Sequence, residues 1–179
     1  LQQLSRIQSD VLASTKFGAV QKHRFESEPG VTIEAFYLFP PDYQSGRAYP
    51  AVLHIHGGPQ AQWDFGFNSE AQLLAAQGYI VVMPNPRGSF GYGQEFASSI
   101  TGNWGGPDFT DVMASIDFGI GKGWIDSERM AVYGWSYGGI LTNHAITKTN
   151  RFDAAITGAS ATLYVANYGH DQYQRWWEE

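Results

Sequence analysis

The chain has 179 residues, of which 43% are hydrophobic and 16% charged, a composition typical of one globular domain or a large piece of one. A formal net charge of −6 argues against nucleic acid as a partner, and the lack of a long apolar run argues against a membrane span. Because cysteine is absent, disulfides, a thiol nucleophile and cysteine-ligated metal are excluded, whereas cytosol and periplasm both stay open as the compartment.

The first predicted elements form a β-hairpin. Residues 1–14 carry only a weak signal, but residues 17–25 and 31–39 are predicted to be strands, separated by a Glu-Pro-Gly turn at 28–30. The second strand alternates in polarity, which predicts one apolar face. That face carries Val31, Ile33, Ala35 and Tyr37.

After the hairpin, predicted strands alternate with predicted helices. The strands are residues 51–55, 79–83, 130–133 and 154–157. The helices are residues 70–77, 107–121 and 138–147, and a helical pattern begins again at 173–179. This alternation predicts an α/β fold with a mostly parallel sheet and helices on both faces. Glycine-rich loops 56–59, 85–93 and 134–139 each follow a strand, so we expect them to meet at the sheet edge where ligands bind.

The pentapeptide Gly-Trp-Ser-Tyr-Gly at 134–138 lies between a predicted strand and a predicted helix. This setting is typical of the nucleophile elbow of an α/β-hydrolase, in which a tight turn presents the serine at the end of the sheet. Ser136 is therefore predicted to be a catalytic nucleophile. The alternative is a serine that only caps the following helix.

An acyl-transfer serine needs N–H donors for the oxyanion that forms during the reaction. One donor is predicted to be the backbone N–H of Tyr137, and the loop His-Gly-Gly-Pro at 56–59 is placed to supply a second. An ordinary turn is the alternative for this loop.

Other polar residues are open to two interpretations. His54 and His56 would share a strand face, and a structural role is favoured over a metal pair because no third ligand has suitable spacing. Arg87 could bind a substrate carboxylate, but an internal pair with Asp108 or Asp111 that braces the loops is favoured.

The motifs at 56–59, 85–93 and 134–139 together resemble those of the prolyl oligopeptidase family of serine peptidases, on the branch of acylaminoacyl peptidases and dipeptidyl-peptidase-like enzymes. The resemblance covers roughly residues 15–179. It implies an α/β-hydrolase fold, Ser136 as nucleophile, and oxyanion N–H groups from Gly58 and Tyr137. It also implies that residues 1–14 are a linker or the tail of a preceding β-propeller.

The resemblance also implies that the triad acid and histidine lie well beyond the serine, after two further strands. Because no strand signal follows Thr157, residues 15–179 are expected to be an incomplete catalytic domain, truncated before its last strands. Candidate substitutes within the chain are poor. They are His144 and His170 for the base and Asp153 and Asp171 for the acid.

The predicted function is thus hydrolysis of short peptides through an acyl-enzyme on Ser136, without metal or cofactor. The expected partners are a peptide substrate and the β-propeller and C-terminal segment of the same enzyme. Two alternatives stay open: an esterase or lipase-like hydrolase, and an inactive hydrolase-like binding domain. Pocket candidates, for which core packing is an equally good explanation, are Trp135, Tyr137, Tyr168 and Trp176.

Overall fold

A six-stranded sheet forms the centre of this computed structural model, which describes residues 5–163. The strands are β1 (Val20–Glu28), β2 (Val31–Leu38), β3 (Tyr49–Ile55), β4 (Ile80–Asn85), β5 (Ile125–Trp135) and β6 (Ala154–Gly158). The helices are α1 (Ser9–Ser14), α2 (Ser69–Ala76), α3 (Gln94–Ser98), α4 (Pro107–Gly121) and α5 (Tyr137–Lys148). Every strand and every longer helix predicted within residues 5–163 is present.

The strands lie in the order β1-β2-β4-β3-β5-β6. β1 and β2 form the predicted antiparallel hairpin, and β2 also pairs antiparallel with β4. The remaining neighbours, β4 with β3, β3 with β5 and β5 with β6, are parallel. The mostly parallel sheet predicted from the alternation of elements is confirmed.

Helices cover the two faces of the sheet unequally. The larger core cluster packs α4 and α5 against one face, and it includes Tyr37, Leu53, Ile116, Val132 and Leu141. The smaller cluster packs α2 against β2 and β4 on the other face, with Phe36, Leu38, Ala71, Ala75, Val81 and Met83. Each fully buried aliphatic side chain of this kind stabilises the fold by roughly 1.5–3 kcal/mol.

β2 departs from the predicted pattern of one apolar face. Ile33, Ala35 and Tyr37 are fully buried as predicted, but Phe36 and Leu38 on the opposite face are buried as well. The reason is that α2 packs on that opposite face, an arrangement the alternation within β2 does not indicate.

The two short helices were not predicted. α1 has six residues and buries none of them, and α3 has five residues, so neither carries an amphipathic repeat. Over residues 5–163, no helix has both the length and the apolar character needed to cross a membrane.

The arrangement around β3 and β5 creates the place for a ligand site. These strands are parallel neighbours, yet α2 follows β3 on one face of the sheet whereas α5 follows β5 on the other. Where the connections of adjacent strands leave in opposite directions, a crevice opens beyond their carboxyl ends. Loop 56–59 follows the end of β3 and Ser136 follows the end of β5, so both lie at this crevice.

Candidate active site

Ser136 is the whole connection between β5 and α5. Its backbone has φ 58° and ψ −124°, a region that costs a residue with a side chain roughly 1–3 kcal/mol. Its N–H donates to the carbonyl of Gly158 at the end of β6, at 2.9 Å, which holds the turn. The Ser136 side chain caps none of the N–H groups of α5, which contradicts the helix-capping alternative.

The two glycines of the pentapeptide allow backbones to approach closely. A Cβ on Gly134 would lie 2.1 Å from the carbonyl oxygen of Gly138, and a Cβ on Gly138 would lie 2.2 Å from the carbonyl oxygen of Ile55. Because both obstacles are backbone atoms, no side-chain rotation could relieve them. The turn that presents Ser136 therefore requires glycine at both positions.

Loop 56–59 borders the serine. A Cβ on Gly57 would lie 3.5 Å from the Cβ of Ser136 and 3.2 Å from the carbonyl oxygen of Trp135. Within residues 5–163, no hydrogen bond uses the N–H of Gly58. The structure thus brings this loop and the serine together, as expected from their positions after β3 and β5.

His56 is held by neighbours on both sides of its ring. Nδ1 lies 2.7 Å from the carbonyl oxygen of Gly57, and Nε2 lies 2.9 Å from Oγ of Ser89. The residue is buried, and burial lowers the pKa of the imidazole. Since both ring nitrogens are engaged and residues 5–163 contain no cluster able to hold a metal ion, the structural interpretation of His56 is favoured.

Arg87 forms the predicted internal ion pair, and its partner is Asp111. The guanidinium donates from Nε and Nη2 to the two carboxylate oxygens of Asp111, at 2.9 and 2.8 Å, and the Arg87 N–H donates to the same group at 2.8 Å. Asp111 is fully buried, and its hydrogen bonds raise the pKa of Arg87. Nη2 also contacts Glu28, so the pair ties loop 85–93 to the end of the hairpin and the start of α4.

Asp108, the other candidate partner, binds Tyr137 instead. Its Oδ2 accepts hydrogen bonds from the Tyr137 hydroxyl and, at 3.1 Å, from the N–H of Gly105. Asp108 and Tyr137 are both fully buried. The first residue of α5, whose N–H is a predicted oxyanion donor, is therefore anchored through its side chain to the start of α4.

A cleft of about 620 Å³ opens on the α2 side of β3 and β5. Its lining includes Gly57, Trp63, Glu70, Tyr133 and Trp135. His54 also lines it, stacked on Tyr133 with ring centroids 4.5 Å apart, and burial lowers its pKa to about 4. Trp135 is 61% exposed and so is available to a ligand or another chain segment.

The remaining residues considered for the base, the triad acid and the pocket divide into two groups. The ring of His144 packs on Phe109 and beside Gly105, and Asp153 accepts the N–H of Met130, so each has a structural contact away from Ser136. The other four candidates lie outside the described residues. They are Tyr168, His170, Asp171 and Trp176.

Sequence reasoning missed the contacts that join the loops. Ser89 was recognised only as part of a motif, although its hydroxyl contacts His56, 33 positions earlier. The role of Asp108 as an anchor for Tyr137 was likewise missed. No local pattern indicates these partners, because they meet only when β3, β4 and β5 become neighbours.

Comparisons with known proteins agree with this geometry. The model of the prolyl oligopeptidase family matches residues 63–179. A curated relative, the "uncharacterized peptidase YuxL" of Bacillus subtilis, is 42% identical over 147 residues, which are 82% of this chain and 22% of that protein. Acylamino-acid-releasing enzyme 1 of Oryza sativa is 33% identical over 144 residues, which are 77% of this chain and 18% of that protein.

Among solved structures, acylaminoacyl peptidase of Pyrococcus horikoshii superposes with a TM-score of 0.90 at 30% sequence identity. The match covers 98% of this chain and 28% of that one. The fold is therefore the α/β-hydrolase fold predicted from the elbow, and the chain spans between 18% and 28% of the length of these three proteins.

Proposed function

Because the chain belongs to the prolyl oligopeptidase family, we propose that Ser136 is the nucleophile of a serine peptidase that hydrolyses short peptides. The observation that carries this proposal is the backbone of Ser136, held with φ 58° between β5 and α5 while its side chain caps no helical N–H. A residue kept in so costly a conformation, beside Gly57 and at the crevice of the sheet, is typical of a functional site. The peptidase names of the relatives support the same proposal.

The proposed reaction follows from this placement. Oγ of Ser136 attacks the peptide carbonyl carbon and gives its proton to a general base, and the carbonyl oxygen becomes an oxyanion. The N–H groups of Gly58 and Tyr137 donate hydrogen bonds to this oxyanion. The C–N bond then breaks as the protonated base gives this proton to the leaving amine. Water finally hydrolyses the acyl-serine to a carboxylic acid and free Ser136.

We place the triad acid and histidine on a segment beyond this chain. In support, the described histidines near the elbow have other contacts: His56 with Gly57 and Ser89, and His54 with Tyr133. The sheet face opposite α5 also carries exposed apolar side chains: Trp135 is 61% exposed, and Ile156, which pairs with Tyr133, is 66% exposed. Strands of a parallel sheet are normally covered on both faces, so this surface suits a further segment of the same enzyme.

The domain assignment is part of the proposal. Residues 15–179 would be the first part of the catalytic domain, and residues 1–14 a linker from a preceding β-propeller. The exposure of α1 supports a linker there, since none of its residues is buried. Trp135 and Tyr168 would contribute to the substrate pocket. For Trp135, this proposal is supported by its position in the lining of the cleft.

A fluorophosphonate probe tests the proposal on the full-length polypeptide, by which we mean this chain together with the proposed β-propeller and C-terminal segment. We expect one covalent adduct, located on Ser136 by mass spectrometry, because the probe reacts with activated serine hydroxyls. Ser136→Ala should abolish the adduct and lower kcat on an acyl-peptide anilide by about 10⁶-fold, the usual effect of removing a catalytic serine. Ser99→Ala, at an exposed serine of the same chain, is the matched control and should be labelled like the wild type.

Two results would contradict the proposal. An unlabelled wild-type protein would favour the binding-domain alternative. Turnover of acyl esters without any cleavage of anilides would favour an esterase, because the same elbow and oxyanion donors serve esters as well as amides.

A further inference from the structure

The Gly58 N–H belongs to a peptide group whose other end is held by His56. The carbonyl of this Gly57–Gly58 peptide is the oxygen that contacts Nδ1 of His56, at 2.7 Å. In residues 5–163 the only cis peptide bond is Gly58–Pro59, so the Gly57–Gly58 peptide is trans. In a planar trans peptide the C=O and N–H bonds point in opposite directions, and the ring that holds the carbonyl therefore also aims the N–H.

The protons of the His56 ring can be assigned from its contacts. A carbonyl oxygen can only accept, so Nδ1 must carry the proton that is donated to Gly57. Because burial favours the neutral imidazole, Nε2 is then an unprotonated acceptor. Its partner at 2.9 Å is the hydroxyl of Ser89, which can donate.

The Ser89 hydroxyl has two acceptors within reach but one proton. Its Oγ lies 2.7 Å from the carbonyl oxygen of Pro86 as well as 2.9 Å from Nε2 of His56. The Pro86 carbonyl already accepts the N–H of Ser89 at 3.0 Å, whereas no other donor within residues 5–163 reaches Nε2. We therefore assign the hydroxyl proton of Ser89 to the hydrogen bond with Nε2 of His56.

We propose that Ser89 is a positioning residue for the oxyanion site, acting through His56 and the Gly57–Gly58 peptide. Ser89 donates to Nε2, which places the ring proton on Nδ1, and Nδ1 holds the Gly57 carbonyl so that the Gly58 N–H faces the reacting carbonyl of the substrate. Ser89 is fully buried and held by its own backbone bond to Pro86, so the donor is fixed in place. This inference rests on the proposed peptidase function.

The test compares variants of the full-length polypeptide. Ser89→Ala removes the hydroxyl and keeps the backbone bond, and Ser89→Thr restores a hydroxyl. We expect Ser89→Ala to lower kcat by about 10- to 100-fold, part of the 10²- to 10³-fold loss seen when an oxyanion donor is removed, with KM changed less than about twofold. Ser89→Thr should recover most of the lost kcat.

A pair of inhibitors separates this effect from a general loss of structure. A peptide aldehyde forms a tetrahedral adduct with the serine and needs the oxyanion donors, whereas the matching peptide alcohol forms no adduct. In Ser89→Ala, Ki for the aldehyde should rise by the same factor as kcat falls, and Ki for the alcohol should stay within about twofold. Ser115→Ala is the matched control, since Ser115 is also fully buried and bonds a backbone carbonyl, Val112, on α4.

Substitutions of His56 give a second, independent measurement. The amide nitrogen of asparagine can take the place of Nδ1, and that of glutamine can take the place of Nε2. Because the donor to the Gly57 carbonyl is at the Nδ1 position, His56→Asn should keep more activity than His56→Gln. All rates are expressed per active site titrated with the fluorophosphonate, which removes the contribution of unfolded protein.

The proposal is overturned if Ser89→Ala keeps kcat and the aldehyde Ki within twofold of the wild type. It is also overturned if the aldehyde and alcohol lose affinity equally, or if His56→Gln is the more active of the two histidine variants. A wild-type protein that neither reacts with the probe nor cleaves peptides would instead remove the proposed function.

Discussion

Two loops at the same sheet edge are held in place by different means. The elbow at 134–139 is shaped by its own backbone: a strained serine and glycines that contact carbonyl oxygens. Loop 85–93 is held by side chains from elsewhere, with Arg87 bound to Asp111 on α4 and Glu28 on β1. The elbow is thus held mainly by backbone contacts, some of them to Ile55 and Gly158, whereas the position of loop 85–93 depends on side chains 24 and 59 positions away.

The comparison indicates which changes each loop should tolerate. In the elbow, an added methyl group meets backbone atoms that cannot move aside, so the cost is steric. In loop 85–93, loss of the Arg87 side chain leaves a fully buried carboxylate without an opposite charge, so the cost is electrostatic. Variants of the full-length polypeptide can measure the two costs separately.

The largest effect is expected from Gly138→Ala. Its Cβ would lie 2.2 Å from the Ile55 carbonyl oxygen, so β3 and α5 must separate, and we expect a loss of about 5 kcal/mol in unfolding free energy or failure to fold. Urea denaturation measures the change. Gly121→Ala is the control, because a Cβ there has no neighbour within 4 Å, and it should change stability by less than about 1 kcal/mol. Equal stabilities of the two variants would contradict the steric explanation.

A smaller effect is expected from Arg87→Met. Removing the guanidinium leaves the buried Asp111 carboxylate without an opposite charge, although the Ser27 hydroxyl and the Arg87 N–H still donate to it. This should cost about 3 kcal/mol, whereas Arg87→Lys keeps a charge and should cost less. Arg129→Met breaks the exposed pair with Asp126 and serves as control, with an expected loss below about 1 kcal/mol. If Arg87→Met and Arg129→Met shift the urea midpoint equally, loop 85–93 does not depend on this ion pair.

The smallest effect concerns the strain at Ser136. Ser136→Gly and Ser136→Ala both lack the hydroxyl, but only alanine keeps a Cβ at φ 58°. After allowing for the flexibility of glycine in the unfolded chain, we expect the glycine variant to be more stable by about 1 kcal/mol. Differential scanning calorimetry of the two variants measures the difference, and an alanine variant of equal or higher stability would show that the turn is unstrained.

The elements and the elbow could be predicted from the sequence because their signals are local. Alternation over 31–39 and apolar spacing over 107–121 reflect the periods of a strand and a helix. The turn at 134–138 combines a strand, a small-residue bend and a helix within a few positions. These features need no knowledge of which strands become neighbours.

Other parts of the site depend on strand order and helix placement. Asp108 and Asp111 are three positions apart on one helix, and the sequence left open which of them pairs with Arg87. In the structure Asp111 pairs with Arg87, and Asp108 accepts a hydrogen bond from the Tyr137 hydroxyl. The reason is that α4 runs between loop 85–93 and the start of α5. The burial of Phe36 and Leu38 was decided in the same way, by where α2 packs.

The sequence by itself determined the α/β alternation, the hairpin and the serine at the end of β5, because backbone sterics and side-chain periodicity act between residues that are close in the chain. Only the tertiary structure decided that Ser89 reaches His56 and which carboxylate holds Arg87. These contacts join residues from different strands and helices, and they exist only once the sheet has placed β3 between β4 and β5.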